Sequence, residues 1–420
     1  MSKSKLAVFF LFCTFLVLLI TGCEEGNLVS VIPDEGYLAA EYDNRSFLAA
    51  GTDGRLDRIS VDGVRENIPI PVSDTLTDIW SNGDMTLVSG VNGTILYSAD
   101  GKTFEKAKTG TKNVIFSVTS FSGKYYASSE AGVILSSDDG VTWKKIQTSI
   151  KNSIVSIEAG SDRMMAITRN TDFLMSEDGI NWVARNFNEE YDGYYDPYLF
   201  TCLRSMGSTF FVGGSMLAEP GIPFVMFTEV GDVWMHKPLS EINGEVPDEN
   251  FDMRIQAIGH DRDQIVAACD KGRLLTVTEC SVCNLMSELS EADLYDLVFG
   301  GEQLLVVGEG FTYELMDSAQ ARQYDIKPEQ AYENFMNGAL IVDVRTEEEY
   351  AEGHIAGALN IPVGQIEERL PVEIPDSETT IMFYCSVGKR SQTALETAVN
   401  MGYRQLYNLG KLSDWPYEVE

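Results

Sequence analysis

Three seven-residue segments recur in this chain at a fixed interval. Ser98-Ala99-Asp100-Gly101-Lys102-Thr103-Phe104, Ser137-Asp138-Asp139-Gly140-Val141-Thr142-Trp143 and Ser176-Glu177-Asp178-Gly179-Ile180-Asn181-Trp182 stand 39 residues apart. A weaker copy precedes them at Ser60-Val61-Asp62-Gly63, and another follows at Thr228 to Trp234 after a longer insertion. The physics of such a segment is local: the Asp side chain accepts bonds from turn amides, Gly takes a left-handed backbone, and the aromatic packs between neighbouring units. A second marker runs in phase, a small-residue turn followed by an apolar strand, at Gly54, Gly93, Gly132, Thr171, Gly221, Gly272 and Gly310. That makes seven units, each rich in β-branched and aromatic residues at alternating positions. A period of about 40 residues with four short strands per unit specifies a β-propeller. Seven blades are expected over residues 23–318. The last unit stops early, near Met316, so the N-terminal segment Leu28-Val29-Ser30-Val31-Ile32 is the candidate to supply its missing strand.

The recurring segment resembles the Asp-box (BNR) turn of sialidase-like propellers. Sialidase chemistry itself is not expected, because no Arg-Ile-Pro segment of the sialidase kind is present and an Asp box is a turn device without catalytic content. At fold level the repeats also resemble the propellers of photosystem-assembly factors. The propeller is therefore expected to bind a protein or glycan on one rim. The long insertions are the rim candidates: Asn186 to Tyr198, rich in Tyr and acid, and Ser240 to Met253. Aromatics on exposed loops suit recognition.

A polar connector at 319–325 leads to a C-terminal domain over 326–420, where Pro328 suits a first helical turn. Here an apolar run, Thr380 to Tyr384, enters Cys385-Ser386-Val387-Gly388-Lys389-Arg390-Ser391, and a helical pattern leaves from Gln392. That order gives a buried parallel strand, a tight loop and a helix. Loop amides, the helix dipole, Lys389 and Arg390 all stabilise a thiolate on Cys385, and the thiolate is the nucleophile. Upstream stand Leu340-Ile341-Val342-Asp343-Val344-Arg345, Glu349-Tyr350, Gly353-His354-Ile355-Ala356-Gly357-Ala358 and Asn360-Ile361-Pro362. Together with Cys385-x-x-Gly388-x-Arg390 these resemble the rhodanese family of sulfurtransferases, over about the last 95 residues.

The resemblance implies an α/β domain with a central parallel sheet, in which Cys385 takes up a sulfane sulfur as a persulfide and passes it to a thiol or cyanide. It implies that Asp343 and Arg345 brace the fold near the loop and that His354 is structural. The N–H groups from Ser386 to Ser391, Val387 and Gly388 included, would hold the persulfide anion, while Arg390 and Lys389 attract a small anionic donor such as thiosulfate. No metal and no organic cofactor is called for. Where the family often has Gly-Gly before a late Trp, this chain has Gly410-Lys411 before Trp415, a change at the pocket rim. Two other functions compete: a phosphatase, and a scaffold that only binds. Only four residues separate Cys385 from Arg390. The phosphatases of this fold group carry one more, so the shorter ring suits a terminal sulfur. Retention of Cys385 speaks against the scaffold.

Residues 1–22 read as a signal peptide: Lys3 and Lys5 precede an apolar run from Leu6 to Ile20 that is short for a membrane span. Ile20-Thr21-Gly22-Cys23 resembles a bacterial lipobox, which implies acylation of Cys23 and a lipid-anchored chain in the bacterial envelope, facing away from the cytoplasm. The formal net charge of −33 argues against nucleic acid as a partner, since that demands a basic face. Cys280 and Cys283 fall where the repeat would place the Asp and Thr of a box, and a local disulfide in an oxidising compartment is expected there. A metal half-site and two free thiols are the competing readings, and Cys269 is an alternative partner.

Overall fold

The structure, a computed structural model, describes residues 35–190, 198–216, 222–229, 231, 233–238, 241–242, 253–261, 264–278, 282–289, 291–301, 303–317, 326, 328–403 and 405–420. Several expectations lie outside them: the signal peptide with Cys23, the segment Leu28 to Ile32, Gly221, the connector, Cys280, and most of both rim insertions.

Seven sheets follow one another over residues 37–317, antiparallel throughout except where Glu241–Ile242 pairs parallel with Val282–Glu288 in the sixth. The first blade is Tyr37–Tyr42, Phe47–Gly51, Leu56–Ile59 and Arg65–Asn67, and the last is Leu294–Gly300, Gln303–Gly308 and Tyr313–Asp317, three strands among the described residues. Each first strand neighbours the first strand of the next blade, and Leu294–Gly300 returns to Tyr37–Tyr42, which closes the ring. At its six described positions the in-phase small-residue marker is the hairpin between second and third strands. Asp53-Gly54, Asn92-Gly93, Ala131-Gly132 and Lys271-Gly272 each have two successive residues with φ between 54° and 68°, as a type I′ turn demands. Thr171 takes the same left-handed backbone (φ 63°) without being glycine. A Cβ on Gly93 would also lie 2.0 Å from the Thr111 carbonyl oxygen, so both conformation and close approach require glycine there.

The Asp boxes act as their residues dictate. Asp139 Oδ1 accepts from the amides of Val141 and Thr142, both at 2.8 Å, and Asp178 Oδ1 from Ile180 (2.8 Å) and Asn181 (2.7 Å). The box aromatics are shared between blades: Trp143 packs with Leu87 and Ala127, and Trp234 with Phe173 and Phe200. The weak copy at residues 60–63 serves closure, since Tyr313 Oη donates to the Gly63 carbonyl (3.2 Å) and Gln303 Nε2 to that of Val61 (2.9 Å).

All seven innermost strands carry a β-bulge at the same step, just after Tyr37, Leu76, Ile115, Ile154, Phe200, Ile255 and Leu294. A bulge re-aims side chains and adds twist. Around it, polar residues tie blade to blade. Asp78 accepts from the Val118 amide of the next blade at 2.8 Å, and Asp296 accepts from the Ala40 amide at 2.8 Å across the closure. Arg204 reaches Glu158 (3.3 Å), Asp296 (3.7 Å) and the Ile258 carbonyl (3.2 Å). These side chains keep 13–29% of their surface although seven inner strands surround them, so they line the central channel.

In the C-terminal domain the elements are α1 (Pro328–Met336), β1 (Leu340–Asp343), α2 (Glu347–Ala351), β2 (Leu359–Asn360), α3 (Ile366–Glu373), β3 (Ile381–Cys385), α4 (Lys389–Asn400) and β4 (Leu406–Lys411). The sheet order is β2-β1-β3-β4, and every pair is parallel. All five residues of β3 are buried, as a strand covered on both faces requires. Phe383 and Cys385 face Ala394, Leu395 and Ala398 of α4, while Met382 and Tyr384 face Ala331 of α1 and Trp415. The second and third positions of β1 alternate in the same way, Ile341 to one side and Val342 to the other.

Candidate active site

Strand β3 ends at the free thiol of Cys385, wholly buried, and the chain turns back over it before α4 begins. The turn needs Gly388, whose φ of 85° is left-handed; its amide donates to Cys385 Sγ at 3.1 Å. Burial alone pushes a thiol up. Here it is outweighed by the amides of Ser391, Val387 and Arg390 and by the Ser391 hydroxyl, so the Cys385 thiol is held below its ordinary value. The Ser391 hydroxyl also reaches the Gly388 carbonyl oxygen at 2.9 Å. Cys202 in the propeller, half-buried, has only the Thr201 hydroxyl and the Gly213 amide as donors, and desolvation pushes its thiol up to about 12. Position at a strand end, before a helix N-terminus, separates the two thiols.

Arg390 stands in the loop, but its guanidinium is occupied. It forms two parallel bonds to Glu349, Nη1 to Oε2 at 2.6 Å and Nη2 to Oε1 at 2.8 Å, and Nη2 also donates to Ser386 Oγ at 3.1 Å. The pair holds Glu349 down at about 2, with the Arg390 bond as the largest cause. Arg390 is thus ion-paired with Glu349, and its guanidinium also acts on the Cys385 sulfur. Sequence alone gives Glu349 no role. The available signal was Thr346-x-x-Glu349, a capping box: the Glu349 amide donates to Thr346 Oγ1 at 3.3 Å, and the Thr346 amide to Glu349 Oε2 at 3.0 Å. That box fixes α2, and α2 presents the carboxylate to the loop.

Behind the loop, Arg345 makes a buried fork on Asp343, with Nε at 3.0 Å from both oxygens and Nη2 at 2.6 Å from Oδ2, and it reaches on to the Gly353 carbonyl at 2.6 Å. Asn360 Nδ2 donates to the carbonyls of both Asp343 and Arg345 at 3.0 Å. These bonds hold the carboxyl ends of β1 and β2 together. His354 stacks on Tyr350, ring centroids 3.6 Å apart, and its Nε2 lies 3.4 Å from Glu420. It ties the chain end to α2 and makes none of its described contacts with Cys385. Lys389 and Val387 are exposed at the loop surface, Val387 by 67%. Cys283 lies in the strand Val282–Glu288, and its proposed partner Cys280 is outside the described residues. Among the described residues no group of three or more His, Cys, Asp or Glu side chains could hold a metal ion, and no helix is long and apolar enough to cross a membrane.

Comparison with known proteins agrees with this division. The model of the rhodanese-like domain matches residues 327–415, and that of the DUF6242 beta propeller domain matches residues 77–197. Thiosulfate sulfurtransferase PspE of Escherichia coli is 40% identical over 73 residues, which is 17% of this chain and 70% of the relative. Thiosulfate sulfurtransferase GlpE of Coxiella burnetii is 34% identical over 77 residues, 18% of this chain and 70% of the relative. For the propeller, the structure of YCF48 from Cyanidioschyzon merolae superposes with a TM-score of 0.51 at 15% identity, covering 69% of this chain and 98% of that one, a likeness of fold alone.

Proposed function

Since the chain belongs to the rhodanese family through its C-terminal domain, we propose that it is a sulfurtransferase that carries sulfane sulfur on Cys385. One observation carries the reading: a buried thiol whose ionised form is favoured by the amides of its own loop. In the first step the Cys385 thiolate attacks the outer sulfur of thiosulfate or of a persulfide donor. The S–S bond of the donor breaks, sulfite or a thiolate leaves with the electron pair, and Cys385 becomes a persulfide anion inside the ring of N–H groups. In the second step a thiolate or cyanide attacks the terminal sulfur, and the Cys385 thiolate leaves. Each transfer is a displacement at sulfur and needs no outside oxidant.

The test is intact-mass measurement of the reduced full-length chain with and without thiosulfate. The expected product is heavier by one sulfur and returns to the starting mass on addition of cyanide. A thiol that is alkylated normally yet never gains sulfur overturns the proposal. On the same reading the chain is held to the membrane by lipid on Cys23, supported by Ile20-Thr21-Gly22-Cys23, and the propeller is the module that binds a protein or glycan partner. Cys23→Ser is expected to leave unacylated precursor; normal acyl labelling of that variant would overturn the anchor.

A further inference from the structure

The loop's own cations are Arg390, paired with Glu349, and exposed Lys389 at the start of α4, and strand β4 offers a further one. The β3–β4 pairing runs Ile381 to Leu406, Met382 to Tyr407 and Phe383 to Asn408, then shifts, so that Tyr384 stands opposite Gly410 and Cys385 opposite Lys411. The extra residue is a bulge, with Gly410 left-handed at φ 81°. Residues directly opposite on neighbouring strands share a face of the sheet. Asn408, opposite Phe383, shows which face this is: its Nδ2 reaches Gln392 of α4 at 3.3 Å, on the side where Cys385 also lies. Without the bulge, Gly410 would stand opposite Cys385 and Lys411 would turn to the other face. Gly410 also lines the loop itself: its carbonyl lies 3.5 Å from Ser391 Oγ, and its Cα would be 3.9 Å from a Cβ on Gly388. Lys411 has extended backbone angles (φ −111°, ψ 136°) and is exposed, and its side chain takes no part in the hydrogen bonds and ion pairs of the described residues.

We propose that Lys411 is the donor-binding cation of the Cys385 loop, set in register with the thiol by the Leu409–Gly410 bulge, and that it selects small sulfur-bearing dianions such as thiosulfate. This rests on the sulfur-transfer reading above. An ammonium on a flexible stem suits the role: it attracts the dianion as a point charge, then lets sulfite leave once the sulfur has moved. Glu349 keeps the more rigid guanidinium of Arg390 for shaping the loop.

The assignment is tested in the reduced full-length chain by steady-state turnover of thiosulfate with cyanide, comparing Lys411→Ala, Lys411→Arg and Lys389→Ala. Lys411→Ala is expected to raise KM for thiosulfate about fivefold, the upper end of what an exposed ion pair supplies, with kcat within about twofold. The salt dependence of kcat/KM should flatten in the same variant, because a screened attraction has been removed. Lys411→Arg should restore both. Alkylation of Cys385 by uncharged iodoacetamide should keep the wild-type rate in all three variants, which separates donor binding from damage to the loop. If Lys411→Ala keeps the wild-type KM and salt slope, or if Lys389→Ala alone moves them, the assignment of Lys411 is overturned while sulfur transfer stands. If the wild-type chain alkylates but takes up no sulfur, sulfur transfer and this assignment fall together.

Discussion

At the mouth of β3 a buried sulfur is ringed by donors: the amides of Val387, Arg390 and Ser391 and a hydroxyl favour its anion, and the thiol sits below its ordinary value despite burial. In the propeller channel four carboxylates, Glu41, Asp78, Glu158 and Asp296, share one guanidinium, that of Arg204. Burial there pushes Glu41 up to about 8 and Asp78 up to about 7, and raises Glu158 and Asp296 as well. The desolvation cost is common to both places. The balance differs because one loop turns several N–H groups onto one atom, whereas each channel acid has one to three donors spread over two oxygens and faces other acids. The first arrangement holds a charge ready to react. The second sheds charge, and its backbone bonds tie one blade to the next.

Removing the charge that the loop was built around should have the largest effect. Cys385→Ser is expected to abolish sulfur uptake, because a hydroxyl stays protonated at neutral pH and no base stands beside it to activate it. Mass measurement after thiosulfate checks this, and the unfolding transition of the propeller should be unchanged. In the channel the matching experiment is Arg204→Met. The acids would lose the cation they share, and because these side chains keep 13–29% of their surface the cost should fall below the figure of about 3–5 kcal/mol for a fully buried pair. Denaturant unfolding with a probe in the propeller would show it. An unchanged midpoint would mean that the acids are held by backbone bonds alone.

How far these two places could be read from sequence differs for physical reasons. The thiol loop is contiguous: Cys385 to Ser391 carry its strand end, its left-handed Gly388 and its helix start, so the neighbours in sequence are the neighbours in space. The Asp boxes and the six turns that fall among the described residues were legible for the same reason, and the seven sheets agree with them. The channel was not legible. Glu41, Asp78, Glu158, Arg204 and Asp296 are ordinary charged residues on the innermost strands of five blades, brought together only by ring closure between blades far apart in the chain. The Glu349–Arg390 pair lies between these cases. Its two ends are 41 residues apart, and only the capping box at Thr346 hinted that the carboxylate had a fixed position.

A smaller effect separates the two regions by pH. A carboxyl whose folded value is raised contributes stability that is fully present below its unfolded value and is lost as pH rises through the folded one. For Glu41 that window runs from 4.5 to about 8, and for Asp78 from 3.8 to about 7. Asp100, Asp178 and Glu349 are held near 2 and act in the opposite sense, contributing above the usual carboxylate range and failing as pH falls toward about 2. Stability should therefore peak near about pH 5 and decline toward about pH 8. Glu41→Gln should flatten the decline on the alkaline side. A wild-type profile that keeps rising from about pH 5 to about pH 8 would contradict the picture of crowded acids in the channel.

The finest test of the contrast is Ser391→Ala, which takes one donor from the thiol while leaving every backbone amide in place. Ser391 is wholly buried, its single hydroxyl proton is shared between the thiolate and the Gly388 carbonyl, and alanine fits its space. Loss of one hydrogen bond to an ionised group should raise the Cys385 thiol by about one unit, equivalent to about 1.4 kcal/mol. The pH profile of alkylation by iodoacetamide would move to higher pH by that amount. At neutral pH the thiolate fraction would fall by up to about tenfold, and the rate of sulfur loading with it. The amides of Val387, Arg390 and Ser391 would remain, so the value should stay well below that of Cys202, which burial takes to about 12. If the profile does not move, the backbone alone holds the thiolate, and the contrast with the channel rests on loop geometry rather than on the number of donors.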